Sequence, residues 1–221
     1  LNLKRGEPVM PFAYRIECPH AYGGVWKIEE TVEELVCHIP QIAEDAQRAE
    51  TLFASPRRRL EYVAVRALIY TLLQKLPTIL YKKSGKPFLE DQSLFLSVSH
   101  TSGYAAVLFS EDREVGIDIE MVSERVMKVR ERFLASDEKP ETLYDTLLHW
   151  SAKEAVFKII DRENAGLGTH FHVRGLVGRM QNGENEVTRS GTFLLKYDGM
   201  SQPFEIYYQT TSDYVLTYVA S

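Results

Sequence analysis

Apolar residues at Leu60, Val63, Ala64, Ala67, Leu68 and Leu72 recur at spacings of three and four. That period predicts one long helix, opened by Ser55-Pro56 and running to about Leu76, where Pro77 stops it. A second helical stretch covers residues 140–161 and starts at Pro140. Shorter helices are expected over 41–54, over 123–135, and from Thr31-Val32-Glu33-Glu34, which reads as a capping box and ends before Pro40. Elsewhere the apolar period shortens to two. Residues 13–28 suit one or two strands around Gly23-Gly24. Leu94–Ser99 and Tyr104–Ser110 read as strands joined by His100-Thr101-Ser102-Gly103, and Glu114–Glu120 as another. Alternation returns over 191–198, 203–210 and 213–220, predicting antiparallel strands near the end. Ser84-Gly85-Lys86-Pro87 is a turn, and Gly166 and Gly168 mark a loop.

One segment echoes another. Ser102-Gly103-Tyr104-Ala105-Ala106-Val107-Leu108-Phe109-Ser110 resembles Ser212-Asp213-Tyr214-Val215-Leu216-Thr217-Tyr218-Val219-Ala220 at an offset of 110 residues, and a long helix precedes each. Two α+β halves, 10–111 and 112–221, related by a pseudo-twofold duplication with a site between them, would produce this. A chance likeness between two strands of restricted composition would as well. Residues 1–9 are polar, with Gly6 and Pro8, and read as a flexible leader before Met10.

Composition narrows the class. The chain has 221 residues, 44% hydrophobic and 26% charged, enough for one large domain or two small ones. No run approaches the roughly 18 apolar residues that a membrane span needs. Two cysteines, Cys18 and Cys37, cannot make a disulfide framework or a four-cysteine zinc site, so a reducing, cytoplasmic setting is expected. Charge then adds a location. The net charge is −5, yet residues 48–86 hold nine Lys or Arg against two acids. That stretch is either a solvated basic face or an anion site. The acidic whole-chain balance and the lack of any reading motif argue against nucleic acid.

Three groups of residues could carry chemistry. In Gly116-Ile117-Asp118-Ile119-Glu120, two-residue spacing turns Asp118 and Glu120 to one side of a strand and Ile117 and Ile119 to the other. Adjacent carboxylates repel unless a cation lies between them, and Mg²⁺ takes such oxygens together with phosphates. An exposed strand end with two solvated acids fits the same pattern. In Trp150-Ser151-Ala152-Lys153-Glu154-Ala155-Val156-Phe157-Lys158, helical spacing puts Trp150, Glu154 and Lys158 on one face. Glu154 could ligate metal or act as a base and Lys158 could neutralise phosphate, or the two form an ordinary surface pair. Ser99-His100, at a strand end, could bind phosphate or simply satisfy a turn.

Taken in order, Gly85-Lys86-Pro87, Ser97-Val98-Ser99-His100, Gly116-Ile117-Asp118-Ile119-Glu120 and Trp150 to Lys158 resemble a 4′-phosphopantetheinyl transferase of the surfactin-synthetase-activating type. With Arg57 to Arg66 and Arg132-Phe133-Leu134, the likeness runs from Pro40 to Lys158. It implies an α+β fold of two similar halves. It also implies transfer of the 4′-phosphopantetheine arm of coenzyme A (CoA) to a serine of an apo acyl or peptidyl carrier protein, releasing adenosine 3′,5′-bisphosphate. By this resemblance Asp118, Glu120 and Glu154 hold Mg²⁺. Glu154 helps deprotonate the serine, and Lys158 stabilises the pyrophosphate. Arg57, Arg59, Lys86, Ser99, His100 and Lys153 contact CoA. The carrier docks near residues 123–135, where Lys128, Arg130 and Arg132 meet an acidic partner, and the enzyme is expected to be a monomer. The sequence departs from the family after Pro40, where Ile42 and Asp45 stand in place of lysines, leaving Arg48 or Arg59 for the 3′-phosphate. It also departs after Glu120, at Met121 and Val122, and by an extra residue after His100. A metal-dependent CoA or nucleotide pyrophosphatase, and a non-catalytic CoA- or carrier-binding module, are the competing functions.

Overall fold

The computed structural model describes residues 12–162, 165–176 and 189–221. The expected leader at 1–9 lies outside these residues. The first sheet contains β1 (Phe12–Cys18), β2 (Ala21–Lys27), β5 (Phe95–Thr101) and β6 (Tyr104–Ser110), in the order β1-β2-β6-β5. The second contains β7 (Val115–Met121), β8 (Phe171–Arg174), β9 (Arg189–Tyr197), β10 (Phe204–Thr210) and β11 (Tyr214–Ala220), in the order β7-β11-β10-β9-β8. All the described pairings are antiparallel. β3 (Ile79–Tyr81) and β4 (Pro87–Leu89) form a small separate hairpin around the predicted turn.

The two sheets pack face to face. Their shared core holds Ile16, Val25, Ala106 and Leu108 from one side and Ile117, Ile119, Leu216 and Tyr218 from the other. Strand alternation sends the remaining apolar residues outward to helices. Trp26, Val107 and Phe109 meet α1 (Val32–His38), α2 (Ala43–Leu52) and α3 (Pro56–Leu73). Val215, Val219, Leu195 and Ile206 meet α5 (Leu143–Ile160), with α4 (Arg125–Val129) and α6 (Leu167–His170) beside it. β6 and β11, the segments that echo each other, are both inner strands, and Tyr104 and Tyr214 meet with ring centroids 4.9 Å apart.

Several boundaries differ from the expected ones. The β5–β6 turn is only Ser102-Gly103, with Gly103 at φ 79°, so His100 and Thr101 belong to the strand. The predicted 123–135 helix breaks into α4 and a 3₁₀ turn at Arg130–Arg132, after which Phe133 is fully buried. α5 begins at Leu143 because Thr142, not Pro140, supplies the cap, accepting from the Asp145 N–H. The Gly166–Gly168 loop contains the four-residue α6. α3 ends at Leu73, where Gln74 turns left-handed at φ 54°. The hairpin β3–β4 and the short β8 were not anticipated.

Candidate active site

β5 and β7 are edge strands of different sheets, and they meet through side chains. The Ile117 N–H donates to Ser97 Oγ at 3.1 Å, and the Ile119 N–H to Ser99 Oγ at 3.3 Å. Ser99 in turn donates to Asp118 Oδ1 at 3.0 Å. The other face of β7 is fastened to α5. A Cβ on Gly116 would come within 2.0 Å of the Ala155 carbonyl oxygen, so only glycine permits this approach. Ser151 Oγ lies 3.3 Å from the Asp118 carbonyl oxygen and 2.9 Å from Thr217 Oγ1.

This packing gathers the predicted acids. Asp118 is 5% exposed, and Lys158 Nζ donates to its Oδ1 at 3.0 Å and to the Ile117 carbonyl at 2.7 Å. Oδ2 is buried without a hydrogen-bond partner. Glu120 Oε1 accepts the Trp150 indole N–H at 2.8 Å, and Phe133 packs edge-on against that indole. Burial, reinforced by the Asp118 charge, pushes the Glu120 carboxyl up to about 7. Burial and then Asp118 also raise Glu154, against Lys158, which lowers it. Three acids thus crowd one cation.

Among the described residues, no three His, Cys, Asp or Glu side chains are grouped so as to hold a metal ion. The chemistry of Asp118, Glu120 and Glu154 nevertheless fits a hard cation. All three offer carboxylate oxygens, one of those oxygens is buried and orphaned, and two of the groups are raised by burial first and by the neighbouring Asp118 charge second.

A cleft of about 450 Å³ opens beside these residues, lined by Lys86, Ser97, Glu154, Phe157, Lys158 and Arg162 among others. A second cavity of about 310 Å³ shares Gly85, Pro87 and Val98 with it and continues to Arg58, Tyr62, Arg66, Tyr81 and His100. Lys86 Nζ donates to Glu114 at 2.7 Å while lining the cleft. His100 Nε2 lies 3.1 Å from Arg58 Nη1, and Nδ1 lies 3.2 Å from Glu61. A guanidinium can only donate, so Nε2 accepts and the ring proton sits on Nδ1 facing Glu61. Burial lowers the His100 value, with Glu61 opposing and Arg58 reinforcing, so the ring is neutral near pH 7.

One expected CoA contact, Lys153, is corrected. Lys153 is 0% exposed, and its amine donates to the Phe133 carbonyl at 2.7 Å and to Glu138 at 2.5 Å, inside the protein. Arg59 donates to the Phe53 carbonyl at 2.7 Å and pairs with exposed Glu50 at 2.5 Å, at the end of α2. Arg57 remains largely exposed and donates to Glu61 at 2.8 Å. Arg48 lines a different pocket, with Asp45 and Arg66. Arg58 and Glu61 were missed as site residues. Their signal was present in the spacing Arg57, Arg58, Glu61, which places both arginines beside one buried acid.

Residues 114–219 match the family model of the 4′-phosphopantetheinyl transferase superfamily. The chain is 32% identical over 112 residues to the 4′-phosphopantetheinyl transferase AcpT of Salmonella typhi, across 46% of this chain and 58% of that protein. It is 41% identical over 69 residues to AcpT of Escherichia coli K12, across 31% of this chain and 35% of the relative. The chain therefore spans about half, or less, of the curated relatives it matches. No helix of the described residues is long and apolar enough to cross a membrane.

Proposed function

We propose, from the match of residues 114–219 to the 4′-phosphopantetheinyl transferase superfamily model, that this chain transfers the 4′-phosphopantetheine arm of CoA to a serine of an apo acyl or peptidyl carrier protein. The observation that carries the reading is the cluster itself. Asp118, Glu120, Glu154 and Lys158 come from β7 and α5 within the matched span, and Glu154 and Lys158 line a cleft together with further cations. The two-half duplication belongs to the same reading. It is supported by the echoing strands β6 and β11, each inside its own sheet.

The carrier serine oxygen attacks the phosphorus that bears pantetheine. A serine–phosphorus bond forms, the pyrophosphate bond breaks, and adenosine 3′,5′-bisphosphate leaves. Glu154 takes the serine proton. Its place on the cleft wall beside Lys158 is what suits it to that role. Lys158 and Lys86 face the cleft and neutralise the pyrophosphate, Lys86 exchanging Glu114 for phosphate. Arg58 and the neutral His100, which line the second cavity, receive the nucleotide end, with exposed Arg57 next along α3. Asp118, Glu120 and Glu154 would hold Mg²⁺, which when bound supplies positive charge against the pyrophosphate. Phosphoryl transfer depends mainly on such positioning and charge neutralisation.

The carrier docks on 123–135. Arg125, Lys128, Arg130 and Arg132 are exposed there, beside half-buried Met127 and Val129, which suits an acidic partner with an apolar contact. Intact-mass spectrometry of apo carrier proteins incubated with the chain, CoA and Mg²⁺ tests the reading. A gain of one phosphopantetheine arm, abolished by EDTA, is expected. CoA cleaved with the arm left free in solution would establish a pyrophosphatase instead. CoA bound by calorimetry but never cleaved would leave a binding module.

A further inference from the structure

Lys153 precedes Glu154 on α5, yet it points the other way, into the protein. Its amine meets the Phe133 carbonyl and the Glu138 carboxylate. Glu138 is equally committed: Oε2 also accepts the Ala135 N–H at 2.8 Å, and Oε1 accepts the Val173 N–H at 2.7 Å. Burial pulls the Lys153 amine down, and the Glu138 carboxylate opposes that shift. A buried ion pair is an expensive way to join a loop to a helix, and apolar residues of similar size often do as well. What the charged pair adds is direction. It grips the backbone at both Phe133 and Ala135, immediately after the exposed cations of α4 and its 3₁₀ turn. Phe133 also packs on Trp150, which holds Glu120.

We infer that Lys153 and Glu138 are positioning residues that fix the carrier-docking segment 125–132 in register with Glu154, one residue along α5 from Lys153. Neither touches CoA, so their effect falls on the second substrate. The inference rests on the proposed transferase reading. A carrier serine displaced by about 1 Å from its base loses roughly a hundredfold in rate, so loosening this joint harms the carrier half of the reaction.

Steady-state kinetics of the full chain with CoA and an apo carrier tests it, using Lys153→Met and the paired variant Lys153→Met/Glu138→Gln. Removing one charge alone strands the other, so the paired variant is the one expected to stay folded. Its Tm is measured alongside. The expected result is a carrier KM raised about tenfold and a lowered kcat, with the KM for CoA within about twofold of wild type. Carrier and CoA constants that both stay at wild-type values overturn the inference and leave the pair a structural bridge. Parallel changes in both KM values overturn it equally, because they indicate general loosening. If the paired variant fails to fold, Lys153→Arg, which keeps the charge beside Glu138 but changes the geometry of the joint, is read by the same split in KM values. A wild-type chain that modifies no carrier overturns the transferase reading itself, a failure visible before any variant is made.

Discussion

At Asp118 one carboxylate oxygen is shared by Lys158 and Ser99, while the other is buried with nothing to accept from. An orphaned carboxylate oxygen costs free energy in the interior, so the site is held short of full satisfaction. Asp118→Asn keeps the size of the side chain and its place beside Ser99 but removes the charge. It is expected to cut turnover by roughly a hundredfold or more, as is Lys158→Ala, while circular dichroism stays native. Turnover near wild type in both would refute the site. The same crowding makes stability depend on pH. The folded Glu120 carboxyl lies near 7, above its unfolded value of 4.5. The folded state therefore binds more protons between these values, and stability is lost as pH rises from 4.5 through 7. The slope from one group is at most about 1.4 kcal/mol per pH unit. In EDTA, the Tm is expected to fall from pH 5 to pH 8 more steeply in wild type than in Glu120→Gln. Equal slopes would mean that Glu120 is not strained in the folded protein.

Among the elements, β7 and α5 carry the cluster, and their contact hinges on Gly116. A methyl group at 2.0 Å from the Ala155 carbonyl cannot be absorbed, because both partners are backbone. Gly116→Ala is expected to lower stability by about 2–4 kcal/mol and to shift the turn that carries Glu154. Chemical denaturation measures the first effect and kcat the second, and a fully stable, active variant would contradict the packing. Both elements were legible in the sequence because each has a clean period. Ile117 and Ile119 alternate with Asp118 and Glu120, and Trp150, Glu154 and Lys158 recur every fourth residue. The 123–135 stretch was legible only as helical composition. What stops its helix is tertiary: Phe133 turns inward, and Lys153 holds its carbonyl. Nothing local marks a lysine as buried, so the same fact hid the true partner of Lys153. The three-residue strands β3 and β4 are too short to show alternation.

Across the whole molecule, the cleft draws on both parts of the chain: Lys83 and Lys86 come from the first, with β5, and Glu154, Lys158 and Arg162 from α5 and its end in the second. The uneven charge of the sequence foreshadows this only partly, since two of these cations belong to the acidic half. The surface proposed for carrier docking lies outside the cleft lining and follows a different law. Its cations, Arg125, Lys128, Arg130 and Arg132, are exposed and spread over a few turns, with Arg130 only loosely paired to Glu131 at 3.5 Å. Attraction between such a surface and an acidic carrier acts mainly on encounter and is screened over about 8 Å at physiological salt. Buried contacts around Lys158 are screened far less. Reversing Lys128 and Arg132 together to Glu should therefore raise the carrier KM about tenfold at low salt, and the gap to wild type should shrink at 0.5 M salt. The KM for CoA should not move. A salt-independent defect, or one shared with CoA, would place the carrier on another face of the molecule.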